Sequence, residues 1–335
     1  MNRLLPFILS AFLLSFNLPA QTQVDSLRDV LITQADDTSK VNTYLYFFYT
    51  DLFYDDPAGV IDYLEKAISL SKKIEYQEGL ANAYSSLGYI YRIRSENDSA
   101  LHYFTEAGKV AQSINFTTGI LDAYIGLGNT YNQRSKWQQA IEQFKKAENI
   151  AIAHNNLRVA ASANNNMGNI SLAQGALKAA LNYYQKAADI GPASIKEVAL
   201  VNIALVHIEL GDSQKAKTYL LEAKLMTSAS KNWYTKAFIE QQLGSLERNE
   251  GNLQEALAYY QQAMDAYLAI DEKYNYSEVL TSVASVYYDQ QLYNKALSAY
   301  EESRQIQEEI EHFTGLCNSM HGIARVYLKT GKLSA

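Results

Sequence analysis

The chain has 335 residues, 48% hydrophobic and 19% charged, a balance that excludes both a disordered polymer and a membrane-filled one. Its four prolines, Pro6, Pro19, Pro57 and Pro192, leave long stretches free for uninterrupted helices and argue against a β-rich fold. Acids outnumber bases 36 to 29, for a formal net charge of −7, which speaks against a nucleic-acid partner because phosphate neutralisation needs a basic face.

Residues 1–20 read as an export signal. Arg3 precedes an apolar stretch from Leu4 to Leu18, and Leu18-Pro19-Ala20 fits a small-residue cleavage site ahead of Gln21. Retention of this stretch as an uncleaved anchor is the alternative reading. No later stretch approaches the roughly 18–20 apolar residues that cross a bilayer, so no further membrane span is expected. Cys317 is the only cysteine, so the chain relies on packing rather than an internal disulfide.

Residues 21–40 predict an N-terminal capping helix. Val24, Leu27, Val30 and Leu31 recur at helical spacing, and Asp36-Asp37-Thr38-Ser39 ends that helix and caps the next.

From residue 41 the chain repeats. A small residue is followed twelve places on by alanine and seven later by another small residue: Gly88/Ala100/Ala107, Gly128/Ala140/Ala147, Gly168/Ala180/Ala187, Ala204/Ala216/Ala223, Gly244/Ala256/Ala263 and Ala284/Ala296/Ser303. The steps are 40, 40, 36, 40 and 40 residues. A degenerate earlier unit carries Phe48, Val60 and Ala67 in the same places, which gives seven complete units over residues 41–316. Residues 317–335 supply the first helix of an incomplete eighth, either as a terminal cap or as an interrupted unit.

Within each unit the first small residue lies between bulky ones on one helical face, as Gly88 does between Tyr84 and Tyr91, and lets a second helix approach closely. Gly175, Gly211, Gly251 and Gly331 fall where a residue with positive φ ends the first helix. A second helix follows, with alanine, an aliphatic residue and a ring, as in Ala140-Ile141-Phe144. Each unit is then a helical hairpin whose apolar face is buried only by stacking on its neighbours.

These residues resemble tetratricopeptide repeats over about residues 41 to 335, in a variety longer than the usual one. The resemblance implies an all-α, right-handed superhelical solenoid of stacked hairpins with a period of about 40 residues. With the export signal, it is similar to the exported N-terminal region of Bacteroidetes sensor histidine kinases and helix-turn-helix regulators. That implies a periplasmic location and a non-catalytic scaffold for protein or extended peptide. Its alternative role is the sensor segment of a signalling protein whose membrane and output domains lie beyond the sequence.

The expected groove is lined by first-helix residues pointing away from the partner helix: Tyr89, Arg92, Asn129, Asn132, Asn165, Asn169, Asn202, Gln241, Ser245 and Arg248. Carboxamides there offer a donor and an acceptor each, and can pair with the amides of an extended peptide. Ile125 and Val201 stand where terminal-carboxylate clamps of this family carry basic residues, so that clamp is not inherited.

Chemistry beyond binding finds little support in the sequence. Glu240 and Glu247 flank Gly244, but about 10.5 Å of helical rise separates them, more than paired catalytic carboxylates use. A lysine nearby or Arg248 is expected to balance them in a loosened unit. His102, His154, His207, His312 and His321 show no metal-ligand spacing, and no glycine loop for phosphate is present, so no metal and no cofactor are expected. The 26 tyrosines mostly fill repeat positions, with Tyr89 and Tyr288 off that pattern as candidate grips.

Overall fold

A computed structural model describes residues 20–50, 52–227 and 232–331. Residues 1–19, where the export signal is expected, and the tail after Gly331 lie outside the described residues. Among the described residues there is no strand, and no helix is long and apolar enough to cross a membrane.

The first helix, α1 (Ala20–Thr33), turns Val24, Leu27 and Leu31 onto the core and leaves Val30 exposed. The Asp37 carboxylate accepts from the backbone N–H groups of Ser39 and Lys40 at 2.9 and 3.2 Å, capping α2 (Thr38–Tyr46) as its sequence position predicts. A short 3₁₀ turn, Phe47–Tyr49, and α3 (Leu52–Asp55) then interrupt the first hairpin. Asp56 caps α4 (Pro57–Lys73), where Pro57 occupies the first turn and costs no hydrogen bond. Phe47 stacks on Tyr63 with centroids 3.9 Å apart, closing the core at this end.

Regular hairpins follow: α5 (Gln77–Ile93), α6 (Asn97–Ser113), α7 (Thr117–Gln133), α8 (Trp137–Ala153) and α9 (Leu157–Ala173), each of 17 residues. Every connection is built the same way. Glu75, Ser95, Asn115, Ser135, Asn155 and Gly175 all adopt positive φ, and the next N–H bonds back to the carbonyl five residues earlier, as Glu96 does to Tyr91 at 2.8 Å. The sequence marks this left-handed position only where it is glycine, but the same turn closes both helices of each hairpin. Two 17-residue helices with two such turns produce the 40-residue step.

The chain divides into two compact units with the boundary between Ile170 and Ser171, inside α9. The second unit continues with α10 (Leu177–Ile190), α11 (Ala193–Glu209), α12 (Ser213–Thr227), α13 (Trp233–Asn249), α14 (Leu253–Leu268), α15 (Lys273–Asp289), α16 (Tyr293–Glu309) and α17 (Phe313–Thr330). Helix α10 has 14 residues and ends on Gly191, which is extended rather than left-handed, ahead of Pro192. This shortened helix and turn account for the one 36-residue step.

The repeated alanines are the core. Ala100, Ala107, Ala140 and Ala147 in the first unit, and Ala180, Ala187, Ala216, Ala223, Ala256, Ala263 and Ala296 in the second, are fully buried. The repeat glycines seat rings: a Cβ on Gly88 would lie 2.9 Å from Phe104, on Gly128 2.6 Å from Phe144, and on Gly244 2.8 Å from Tyr260. Nothing larger fits where a first helix crosses the ring of its partner.

Candidate functional site

In the first unit, the 3₁₀ turn, α5, α6 and α7 enclose a pocket of about 570 Å³. Its aromatic wall is Phe48, Tyr49, Phe53 and Tyr89, with Phe104 behind. Phe48 meets Tyr49, Phe53 and Tyr89 nearly edge-on, at interplanar angles of 83°, 79° and 88° and centroid separations of 5.0, 5.5 and 5.6 Å. This wall exists because the first hairpin is broken: the turn at Phe47–Tyr49 swings rings toward α5 that a continuous helix would have placed elsewhere.

Opposite stand Asp122, Ile125 and Asn129 on α7, one helical face at i, i+3 and i+7. The Asp122 carboxyl reaches water, yet the surrounding wall desolvates it and raises its pKa above the ordinary value. Burial is the cause of that rise. Burial and the charge of Asp122 together push the Tyr49 hydroxyl upward. The Arg92 guanidinium lies over the Tyr89 ring, 5.0 Å from its centroid, and its buried Nε has no hydrogen-bond partner. Ser85 Oγ on the same helix is likewise buried and unpaired.

A second cavity, of about 560 Å³, shares Arg92 and Asn129 with the first and adds Ile93, Asn132 and Gln133. Of the expected groove residues, then, Tyr89, Arg92, Asn129 and Asn132 come together around two adjoining cavities. Asn165 and Asn169 lie further along on α9, where each has an interaction partner, as does Asn202 on α11.

The remaining expected residues are tied up inside the second unit. Gln241 accepts from the Tyr267 hydroxyl at 3.0 Å, Ser245 bonds the Tyr260 hydroxyl at 3.1 Å, and Arg248 donates twice to one oxygen of Asp289, at 3.0 and 2.8 Å. For Ser245 the contrast has a simple origin fifteen residues downstream. Where the repeat ring is phenylalanine, at Phe104 and Phe144, the positions fifteen earlier, Tyr89 and Asn129, face the cavities. Where it is tyrosine, at Tyr260 and Tyr300, its hydroxyl bonds a serine there, Ser245 or Ser285.

Tyr49, Phe53, Ser85 and Asp122 line the pocket without having been expected there, and Phe48, expected only as a repeat position, joins them. For Asp122 a signal existed, since it lies two turns before Asn129 on the same face. The aromatic turn carried none.

Glu240 and Glu247 are each held by their own lysine. Glu240 is almost wholly buried and takes a hydrogen bond from Lys224 Nζ at 3.0 Å, while Glu247 takes one from Lys217 at 2.6 Å and another from Asn252 at 2.8 Å. Those bonds hold the Glu247 pKa below its ordinary value. Lysines of α12 balance the acids, whereas Arg248 serves Asp289 instead. Among the histidines, His312 Nε2 accepts from the Gly315 N–H and caps α17, and His207 stacks on Tyr219 with its pKa lowered by burial. Tyr288, the other expected grip, lies under the Arg325 guanidinium at 4.3 Å and against Tyr293. Among the described residues no group of three or more histidine, cysteine, aspartate or glutamate side chains is placed to hold a metal.

Family models described as tetratricopeptide repeat match residues 79–153, 195–269 and 161–193, more than half of the chain. No curated protein sequence matches it. Among solved structures, the apo form of RapI superposes with a TM-score of 0.60 at 15% identity, over 81% of this chain and 99% of that one. A signal transduction ATPase with numerous domains and a tetratricopeptide repeat sensor, from Pyrococcus horikoshii, gives 0.67 at 17% identity, over 96% of this chain and 48% of that one. A Rap protein complexed with competence and sporulation factor gives 0.52 at 14% identity, over 93% and 94%. At these identities the likeness establishes the fold.

Proposed function

From the premise that the chain belongs to the tetratricopeptide repeat family, we propose that it is a non-catalytic scaffold of the cell envelope that holds an extended peptide or protein segment along the two cavities of its first unit. One observation carries the reading: unlike Gln241, Ser245 and Arg248, the stripe Tyr89, Arg92, Asn129 and Asn132 is left open to the cavities, with Arg92 Nε and Ser85 Oγ still lacking acceptor or donor. Polar groups desolvated without partners are costly, and a peptide backbone supplies both kinds of partner. The Rap protein complexed with competence and sporulation factor supports the reading as a case of the same fold holding a bound partner.

Binding is tested with a pool of end-blocked hexapeptides captured on the purified protein. Tyr89→Ala and Asn129→Ala weaken capture by about tenfold each, as loss of an anchoring contact does. Arg248→Ala, which breaks only the bond to Asp289, leaves capture unchanged. Equal effects of all three would sink the assignment.

The export signal supports an envelope location, and cell fractionation with residues 1–20 present or deleted tests it. Exclusive recovery of the complete chain from the cytoplasm would refute it. The second reading, a sensor segment of a larger signalling protein, draws on the Pyrococcus ATPase, whose repeats are a sensor and of which this chain spans about half.

A further inference from the structure

We propose that the aromatic pocket of the first unit is the subsite for a basic side chain of the bound peptide, an arginine or lysine whose charged head meets the Asp122 carboxylate among the rings of Phe48, Tyr49 and Tyr89. The proposal rests on the peptide-binding reading and names what the peptide must carry.

Asp122 lines the pocket with no hydrogen bond and no ion pair among the described residues, although lysine and arginine make up 29 residues of the chain. Two buried acids of the second unit, by contrast, are matched, Glu240 by Lys224 and Glu247 by Lys217. The pocket's own cation, Arg92, sits over the Tyr89 ring and forms no ion pair with Asp122 among the described residues. One negative charge in the wall is therefore left for a ligand.

The surrounding rings favour the same ligand. Phe48 meets Tyr49, Phe53 and Tyr89 near right angles, while Phe53 and Tyr89 are tilted at 46°, so the rings offer π faces in more than one direction, which is the environment that attracts an ammonium or guanidinium. A lysine or arginine also carries an apolar stem that such a wall covers while the head stays at the carboxylate. The volume of about 570 Å³ admits that side chain with its backbone.

Other occupants are disfavoured by the same residues. A leucine or phenylalanine would strip the remaining water from Asp122 and return nothing to its charge, and a glutamate would bring a second negative charge beside it. The net charge of −7 adds a general attraction for a cationic partner.

The test fixes each position of the end-blocked hexapeptide pool in turn and reads the captured peptides by mass spectrometry. The wild-type chain enriches arginine or lysine over leucine by about tenfold at one position, the worth of one desolvated charge contact. Asp122→Asn abolishes that preference. Glu142→Gln, which removes an equal charge on the exposed face of α8, keeps it. Enrichment of leucine or glutamate, or a basic preference indifferent to Asp122→Asn, overturns the proposal.

If no hexapeptide is captured at all, the peptide-binding reading falls, and arginine amide decides the subsite separately. Saturable shifts of the Tyr49 and Tyr89 ring resonances in the wild type, absent from Asp122→Asn, uphold it. Their absence from both overturns it.

Discussion

Asp122 shows how a single side chain can work against the fold it belongs to. Its ionised form lost part of its hydration and gained no partner, so its folded pKa is raised. A raised carboxyl pKa means that its contribution to stability is greatest below the unfolded value and is lost as pH rises through the folded one. Asp122→Asn is therefore expected to be more stable than the wild type at about pH 7, with the difference vanishing near pH 3. Urea unfolding at the two pH values measures it.

Glu247 runs the opposite way. Lys217 and then Asn252 lower its pKa, so its stabilisation is present above the unfolded value and is lost as pH falls through the folded one. Glu240, almost wholly buried on Lys224, is the more sensitive partner: Lys224→Met strands it and costs about 2 kcal/mol, whereas adding Glu240→Leu to that variant recovers most of the loss. A double variant no more stable than Lys224→Met would show that packing, not charge, is at stake.

At the scale of the element, the recurrent turn sets both length and period. It demands a left-handed residue at or just after the helix's C-cap, and the chain meets that demand with glycine at Gly175, Gly211, Gly251 and Gly331 but with L-residues at Glu75, Gln291 and others. An L-residue in this region costs roughly 1–2 kcal/mol, partly offset against glycine's larger loss of entropy. Gln291→Gly, at φ 63°, is accordingly expected to raise stability by about 0.5–1 kcal/mol, read from the denaturant midpoint at constant slope. The crossing points of the helices are less forgiving. Gly128→Ala would push a methyl toward the Phe144 ring, and a loss of about 1–3 kcal/mol is expected.

At the scale of the whole molecule, each hairpin is stabilised by its sequence neighbours, so damage should stay local. Gly128→Ala is expected to speed amide hydrogen exchange in α5 through α9 and to leave α15 through α17 at wild-type rates. Uniform acceleration along the chain would mean that it unfolds as one cooperative body.

The sequence alone determined the architecture, because the requirements that fix a stacked hairpin recur in it: buried alanines at fixed spacing, glycines beneath rings, and a glycine-marked turn. The candidate site was legible only in part. Tyr89, Arg92, Asn129 and Asn132 follow from helical spacing, but so do Gln241, Ser245 and Arg248, and spacing cannot tell an open side chain from a bonded one. That distinction depends on a tyrosine or phenylalanine fifteen residues away and on an aspartate, Asp289, in the next hairpin. The aromatic wall depends on the broken first hairpin, whose degenerate sequence hides where its rings go. Periodic residues reveal themselves because each repeat must satisfy the same packing. The chemistry of the pocket arises where one hairpin departs from that packing, and only the folded chain brings Phe48, Tyr89 and Asp122 to face one another.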